Sequence, residues 1–151
     1  LQEGRSEQLF PASRMISSNI RWAKDNSGFF FTAAYSTHPV YNSGSIDKLY
    51  FFSLASRAHQ EIDLGWENGV GQGVAVTEDG VLVSLANGTR NRIARYTKQG
   101  DRFVRQDLTG DHASNIYGLQ TTLKPGVIAY EHSTASKPAQ WYAGTLTGAA
   151  V

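Results

Sequence analysis

Asp25-Asn26-Ser27-Gly28-Phe29-Phe30-Phe31-Thr32-Ala33 reads as a turn followed by a strand buried on both faces. Asp and Asn side chains bond their own backbone and Gly accepts positive φ, so the first four residues are turn chemistry. The next five are β-prone and nearly all apolar, as a strand enclosed from two sides must be. Upstream, Asn19-Ile20-Arg21-Trp22 is a short strand that the turn reverses. Downstream, a long loop from Tyr35 to Ser45 holds Pro39, Asn42 and Gly44 and leads to a third strand, Lys48 to Leu54. Ala58 to Leu64 makes a fourth, and its Glu61 and Asp63 suit an outer strand that meets water.

The same order then restarts. Gly73 to Val76, the turn Thr77-Glu78-Asp79-Gly80 and the apolar Val81 to Leu85 repeat the opening. Asn87-Gly88 is the dipeptide preferred in two-residue hairpins. Arg92 to Tyr96, a turn at Gln99-Gly100-Asp101 and Phe103 to Leu108 complete the set. A third start runs from Asn115-Ile116-Tyr117-Gly118-Leu119 through Leu123-Lys124-Pro125-Gly126 and Val127 to Glu131, and on to Trp141 to Leu146. The turn glycines Gly28, Gly80 and Gly126 lie 52 and 46 residues apart, a spacing near the period of propeller blades. The sequence therefore predicts an all-β fold, a partial β-propeller of about three four-stranded antiparallel blades. Residues 1–15 are expected as an irregular tail or the end of a preceding blade. The blades are expected over about 16–68, 69–112 and 113–151. A β-sandwich of meandering strands gives similar spacing and stays open as an alternative. Three blades cannot close a ring of about four to eight. The open edges predict missing blades, self-association or another chain as partner.

Composition agrees with one folded domain. The chain has 151 residues with 15 glycines, and its bulk comes from 7 Tyr, 7 Phe and 3 Trp. Lys and Arg number 14 against 13 Asp and Glu, and no basic stripe interleaves with aromatics, so no nucleic-acid partner is expected. The longest apolar runs, such as Gly28 to Ala34, are far short of the roughly 20 residues that cross a bilayer, so no membrane partner is expected. Cysteine is absent, which excludes disulfides and thiolate metal sites and leaves cytoplasmic and periplasmic or secreted compartments equally open. A start at Leu1 without Met predicts a fragment or a processed product.

The segment from Ile20 to Phe31, with Trp22, Asp25, Ser27-Gly28 and the aromatic run, resembles a blade opening in the propeller of the prolyl oligopeptidase family of serine peptidases and in the related TolB-type propellers. Leu49-Tyr50-Phe51-Phe52-Ser53-Leu54 is similar to that family's third strand. Val127 to Ala143, with Ser133-Thr134, Pro138 and Trp141-Tyr142, and then Leu146-Thr147-Gly148, resembles its last blade, after which a hydrolase domain begins. The likeness covers most of the chain from Ile16 onward. It departs from the pattern in the middle blade, where Val76-Thr77-Glu78-Asp79-Gly80 has no Trp. The resemblance implies the propeller portion of a dipeptidyl or acylaminoacyl peptidase. That portion would gate and contact peptide substrate, while the hydrolase domain and further blades lie elsewhere. A non-catalytic TolB-like scaffold for protein interaction is the alternative.

Chemistry within the chain is sparse. A Gly-x-Ser-x-Gly elbow is absent, so no catalytic residue is assigned. None of His38, His59, His112 and His132 sits beside such an elbow. No His-x-x-x-His or Glu-x-x-His spacing occurs, and Glu131 and His132 would point to opposite faces of a strand, so no metal is expected. Gly69-Val70-Gly71-Gln72-Gly73 leads into a strand, whereas a phosphate cradle needs a following helix. It reads as a connection between blades, and no cofactor is expected. Asn87-Gly88-Thr89 matches a glycosylation acceptor but is already explained as a hairpin. Arg90, Arg92 and Arg95 read as one solvated strand face. The long loop supplies the candidate substrate-binding residues Tyr35, His38 and Tyr41, because long loops bearing aromatics suit binding.

Overall fold

The computed structural model describes residues 6–10, 17–36, 38, 40 and 44–145. Tyr41, Pro39, Asn42 and Leu146-Thr147-Gly148 lie outside the described residues. Eleven strands follow one another: β1 (Ser17–Trp22), β2 (Gly28–Tyr35), β3 (Ile46–Ser53), β4 (Ala58–Ile62), β5 (Val70–Thr77), β6 (Gly80–Leu85), β7 (Arg92–Gln99), β8 (Arg102–Asp107), β9 (Ile116–Thr121), β10 (Ile128–Thr134) and β11 (Lys137–Gly144). A short 3₁₀ turn, Asp111–Ala113, precedes β9. No helix among the described residues is long and apolar enough to cross a membrane.

All pairings between strands are antiparallel, and each strand pairs with the next along the chain within three sets. The β3–β5 bridge joins β1 to β8 into one eight-stranded sheet, and β9 to β11 make a separate three-stranded one. Within the larger sheet β1 to β4 and β5 to β8 are two four-stranded sets, termed the first and second sheets, with β9 to β11 the third. A single bridge, Asp47 to Val70, links the first sheet to the second. An isolated bridge from Arg92 to Ser114 and a bond from Asn115 N–H to the Asn91 carbonyl link the second to the third. The first strands lie side by side, β1 against β5 and β5 against β9. The third sheet has three strands among the described residues rather than the four expected, and the sheets do not close into a ring.

Alternation along each strand decides what packs where. Phe30 and Phe51 of the first sheet meet Val74, Val76, Val81, Val83 and Tyr96 of the second in one core. The other face of the second sheet gives Ala75, Leu82 and Ile93 to a second core with Ile116, Leu119, Ile128 and Tyr130 of the third. β6 is therefore buried along its whole length, as the Val81 to Leu85 run requires. Phe29, Phe31, Ala33 and Phe52 form a third cluster on the outward face of the first sheet. β4 is exposed except at Ile62, as its charges predict.

Two glycines hold equivalent places in the first two sheets. A Cβ added at Gly28 would collide with the Phe52 carbonyl oxygen, and one added at Gly80 with the Tyr96 carbonyl oxygen. Both open the second strand of their sheet, where no side chain fits between neighbouring backbones. Gly126 is different: its φ is +73° and open space surrounds its Cβ position. It serves a loop turn, so the third glycine of the series does not share the packing role of the other two.

Several local expectations are corrected. Asn87-Gly88 does not make a two-residue hairpin, since β6 ends at Leu85 and β7 starts at Arg92. The dipeptide turns inside a longer loop, with Arg90 N–H bonded to the Asn87 carbonyl. Two-residue turns are found instead at Glu78-Asp79, Ala135-Ser136 and Gly100-Asp101, where Gly100 has φ +61°. Val70 to Gly73 belongs to β5 rather than to a connection, and a bulge there shifts the register between Val70 and Val74. Glu131 and His132 are in mid-strand, not at a loop edge, with His132 buried. Arg92 and Arg95 point to opposite faces: Arg92 lies over Trp66, while Arg95 pairs with Asp79. The last strand begins at Lys137 rather than Trp141.

Two turn carboxylates are tuned by local bonds. Asp25 accepts from the Ser27 N–H at 3.0 Å and the Ser27 hydroxyl at 2.7 Å, and these hold its carboxyl below the usual range. Burial works to raise Asp79, but hydrogen bonds from Arg95 and Thr77 outweigh it and leave this carboxyl lowered too. A lowered folded value contributes stability above the unfolded value and loses it as pH falls through the folded one. Urea unfolding is therefore expected to show stability falling as pH drops below about 4. The Asp25→Asn, Asp79→Asn double variant is expected to show a shallower acid dependence. An unchanged pH profile in that variant would count against these turn bonds.

Candidate binding surface at the loop end of the sheets

β2 carries Tyr35 to the end of the first sheet where the β2–β3 loop, the β4–β5 connection and the β6–β7 loop emerge. The side chain is exposed, and the Lys48 ammonium lies 3.9 Å from its ring centroid. Lys48 in turn donates to Glu61 Oε1 at 2.8 Å. This bond holds the ammonium protonated, above the ordinary lysine range. Burial pushes the neighbouring Tyr50 hydroxyl up as well. His38 is exposed and belongs to its own tight turn: its N–H donates to Ser36 Oγ at 3.2 Å, and its Nδ1 accepts from Val40 N–H at 3.2 Å. That leaves the proton of a neutral ring on Nε2. Tyr41 lies outside the described residues.

Lys48 and Glu61 border a cleft of about 290 Å³ that continues past Asp63, Trp66 and Glu67. A second recess, of about 520 Å³, is bordered by Gly65, Trp66, Glu67, Asn68 and Asn87. Trp66 and Glu67 border both recesses.

Trp66 is firmly held. Its Nε1 donates to the Ala86 carbonyl at 2.6 Å, and the guanidinium groups of Arg92 and Arg105 lie 5.9 and 5.4 Å from its ring. Arg105 also donates to the carbonyls of Leu64 and Gly65, at 3.1 and 2.7 Å, and so pins the β4–β5 connection. The sequence singled out Tyr35 and His38, which are not among the residues bordering these recesses, and did not single out Lys48, Glu61, Asp63, Trp66 or Glu67 as a site. The signal that could have pointed to them is a lone Trp among carboxylates and glycines in a strand connection, from Asp63 to Gly69.

Two of the histidines come together elsewhere. The rings of His112 and His132 stack with centroids 4.2 Å apart. His132 Nδ1 lies 3.1 Å from the Ser114 carbonyl, an acceptor only, so this nitrogen carries a proton. His112 Nδ1 is 2.9 Å from the Tyr130 hydroxyl, and Tyr142 meets His112 edge-on. His59 sits on β4 against Tyr50 and Phe31. No group of three or more His, Asp or Glu side chains among the described residues could hold a metal ion.

At the opposite end of the sheets, the β1–β2, β5–β6 and β7–β8 turns surround a recess of about 350 Å³. Its rim carries Lys24, Asp25, Glu78 and Lys98 above Phe30 and Phe51.

Compared with known proteins, the chain matches no family model, and no curated protein is significantly similar to it.

Proposed function

We propose that the chain is the propeller portion of a serine peptidase of the prolyl oligopeptidase type, gating and contacting peptide substrate for a hydrolase domain carried elsewhere in the protein. The observation that supports this reading is the stacking of consecutive antiparallel meanders with their first strands side by side, β1 by β5 by β9. Blades around an axis are arranged this way. The Trp22-Asp25-Ser27-Gly28 opening adds the family likeness. The recesses that Trp66 borders, with Asp63 and Glu67 also at their edges, offer a rigid aromatic surface and carboxylates to a peptide. Such remote contacts add binding energy while the chemistry is done elsewhere.

The test begins with the reading frame past Val151. A hydrolase domain with Gly-x-Ser-x-Gly is expected there. In that full-length protein, Trp66→Ala is expected to raise KM for peptides by about tenfold with kcat retained, the pattern of a lost uniform contact. Removal of the loop from Ser36 to Ser45 is expected to change the dependence of KM on peptide length. Unchanged kinetics in both variants would remove substrate contact from this surface. A frame without a hydrolase would leave the TolB-like scaffold as the better reading.

A further inference from the structure

The outward face of the first sheet is strongly aromatic, with Phe29, Phe31 and Phe52 on it, and it already has an occupant. Residues 6–10 lie across it without joining the sheet as a strand. The Phe10 ring sits 5.2 Å from Phe31, 5.7 Å from Phe52 and 5.5 Å from His59, centroid to centroid. Glu7, three residues earlier, makes an ion pair with Arg57 in the β3–β4 turn. Under this cover Phe29, Phe31 and Phe52 are all buried. Trp22 extends the same face beyond Phe10: it meets Phe29 edge-on at 5.5 Å and is 58% exposed.

The hold on this segment is slight compared with the surface it covers. Both partners of the ion pair are more than half exposed, and exposed pairs contribute little. Among the described residues, the ring contacts of this segment are those of Phe10. Lifting that ring would bare a contiguous aromatic patch, the kind of surface that marks an interaction site. The cover also spells out what the face recognises: a ring that fits between Phe31, Phe52 and His59, and a carboxylate that reaches Arg57.

We propose that this face is a docking site for an extended peptide segment presenting an aromatic side chain three residues after a carboxylate, and that Glu7 to Phe10 occupies it in cis. Arg57 reads the carboxylate, the Phe31–Phe52–His59 pocket takes the ring, and Trp22 offers a ledge for a further apolar residue. The site uses the first sheet alone, and it competes with the propeller reading, in which a preceding blade would cover this face.

A fluorescent peptide copying residues 1–13 is the probe, titrated against the full chain and its Phe10→Ala variant. The variant is expected to bind about tenfold or more tightly than the unmodified chain, because the competing occupant is gone. Adding Arg57→Glu to the Phe10→Ala chain is expected to weaken binding several-fold, and a peptide with Glu7→Arg to restore it. Absent or equal binding by the two chains would overturn the proposal. So would dimerisation of the Phe10→Ala chain without peptide uptake, which would give the face to a second copy. Should circular dichroism show Phe10→Ala unfolded, the surface variant Glu7→Arg loosens the same cover. It is then expected to bind the probe more tightly than the unmodified chain, and equal binding overturns the proposal.

Discussion

Gly80→Ala is expected to destabilise the protein by more than about 3 kcal/mol, beyond the ordinary cost of overpacking. The added methyl group meets backbone, not a side chain that could swing away. It collides with the Tyr96 carbonyl oxygen and lies 3.0 Å from the Thr97 Cα. These atoms belong to β7, which is bonded to β6 on one side and β8 on the other. Neither strand can retreat without breaking a ladder. Gly28→Ala is expected to act alike through the Phe52 carbonyl. Gly126→Ala supplies the contrast, since it meets no atom within 4 Å and bears only the strain of φ +73°, about 1 kcal/mol. Urea unfolding of the three variants measures the difference. If Gly80→Ala costs no more than Gly126→Ala, the β6–β7 register is wrong.

Tyr96→Ala is expected to cost about 3–5 kcal/mol, as for other large aromatic truncations. The ring is fully buried between the first and second sheets, and its hydroxyl donates to the Leu64 carbonyl at 2.8 Å. Tyr96→Phe keeps the ring and is expected to cost only about 1 kcal/mol. Arg105 still donates to the same carbonyl at 3.1 Å, so the acceptor is not orphaned. Burial pushes the Tyr96 hydroxyl far above the ordinary tyrosine range. A raised folded value gives stability that is whole below the unfolded value and is lost above it. Stability is thus expected to fall as pH rises past about 10, and Tyr96→Phe to lessen that fall. Equal costs for the alanine and phenylalanine variants would mean that the ring is not a core element.

Strand positions were legible where turn chemistry and apolar runs coincide. Asp25 to Ala33 and Thr77 to Leu85 satisfy both conditions, and β2 and β6 stand where they predict. The loop after β6 was misread because tertiary contacts overrule its Asn-Gly pair. Ala86 is taken by Trp66, and Asn91 is buried beside Gly71, so the chain does not reverse within two residues. Of the recesses around Trp66, no bordering residue was singled out from the sequence as a site. Lys48 and Glu61 meet across the β3–β4 ladder, next to the Leu49–Ile62 and Tyr50–Glu61 pairs, and no spacing rule advertises that ion pair. His112 and His132 are 20 residues apart and stack only because β10 passes beside the 3₁₀ turn.

Each sheet is stitched internally by its ladders, yet the backbone crossings between sheets are few among the described residues, at Asp47–Val70, Arg92–Ser114 and Asn115–Asn91. Side-chain burial does most of the joining, beside a few directional bonds such as those from Tyr96 and Arg105 to the Leu64 carbonyl, and burial has no direction or register. A layer therefore needs only an apolar face on each side to be accepted between its neighbours. Its stability is then close to an intrinsic part plus two interface parts, as in repeat proteins. Copying or deleting a whole layer during evolution would leave every remaining ladder intact, so the number of layers can change more easily than the order of strands within any one of them.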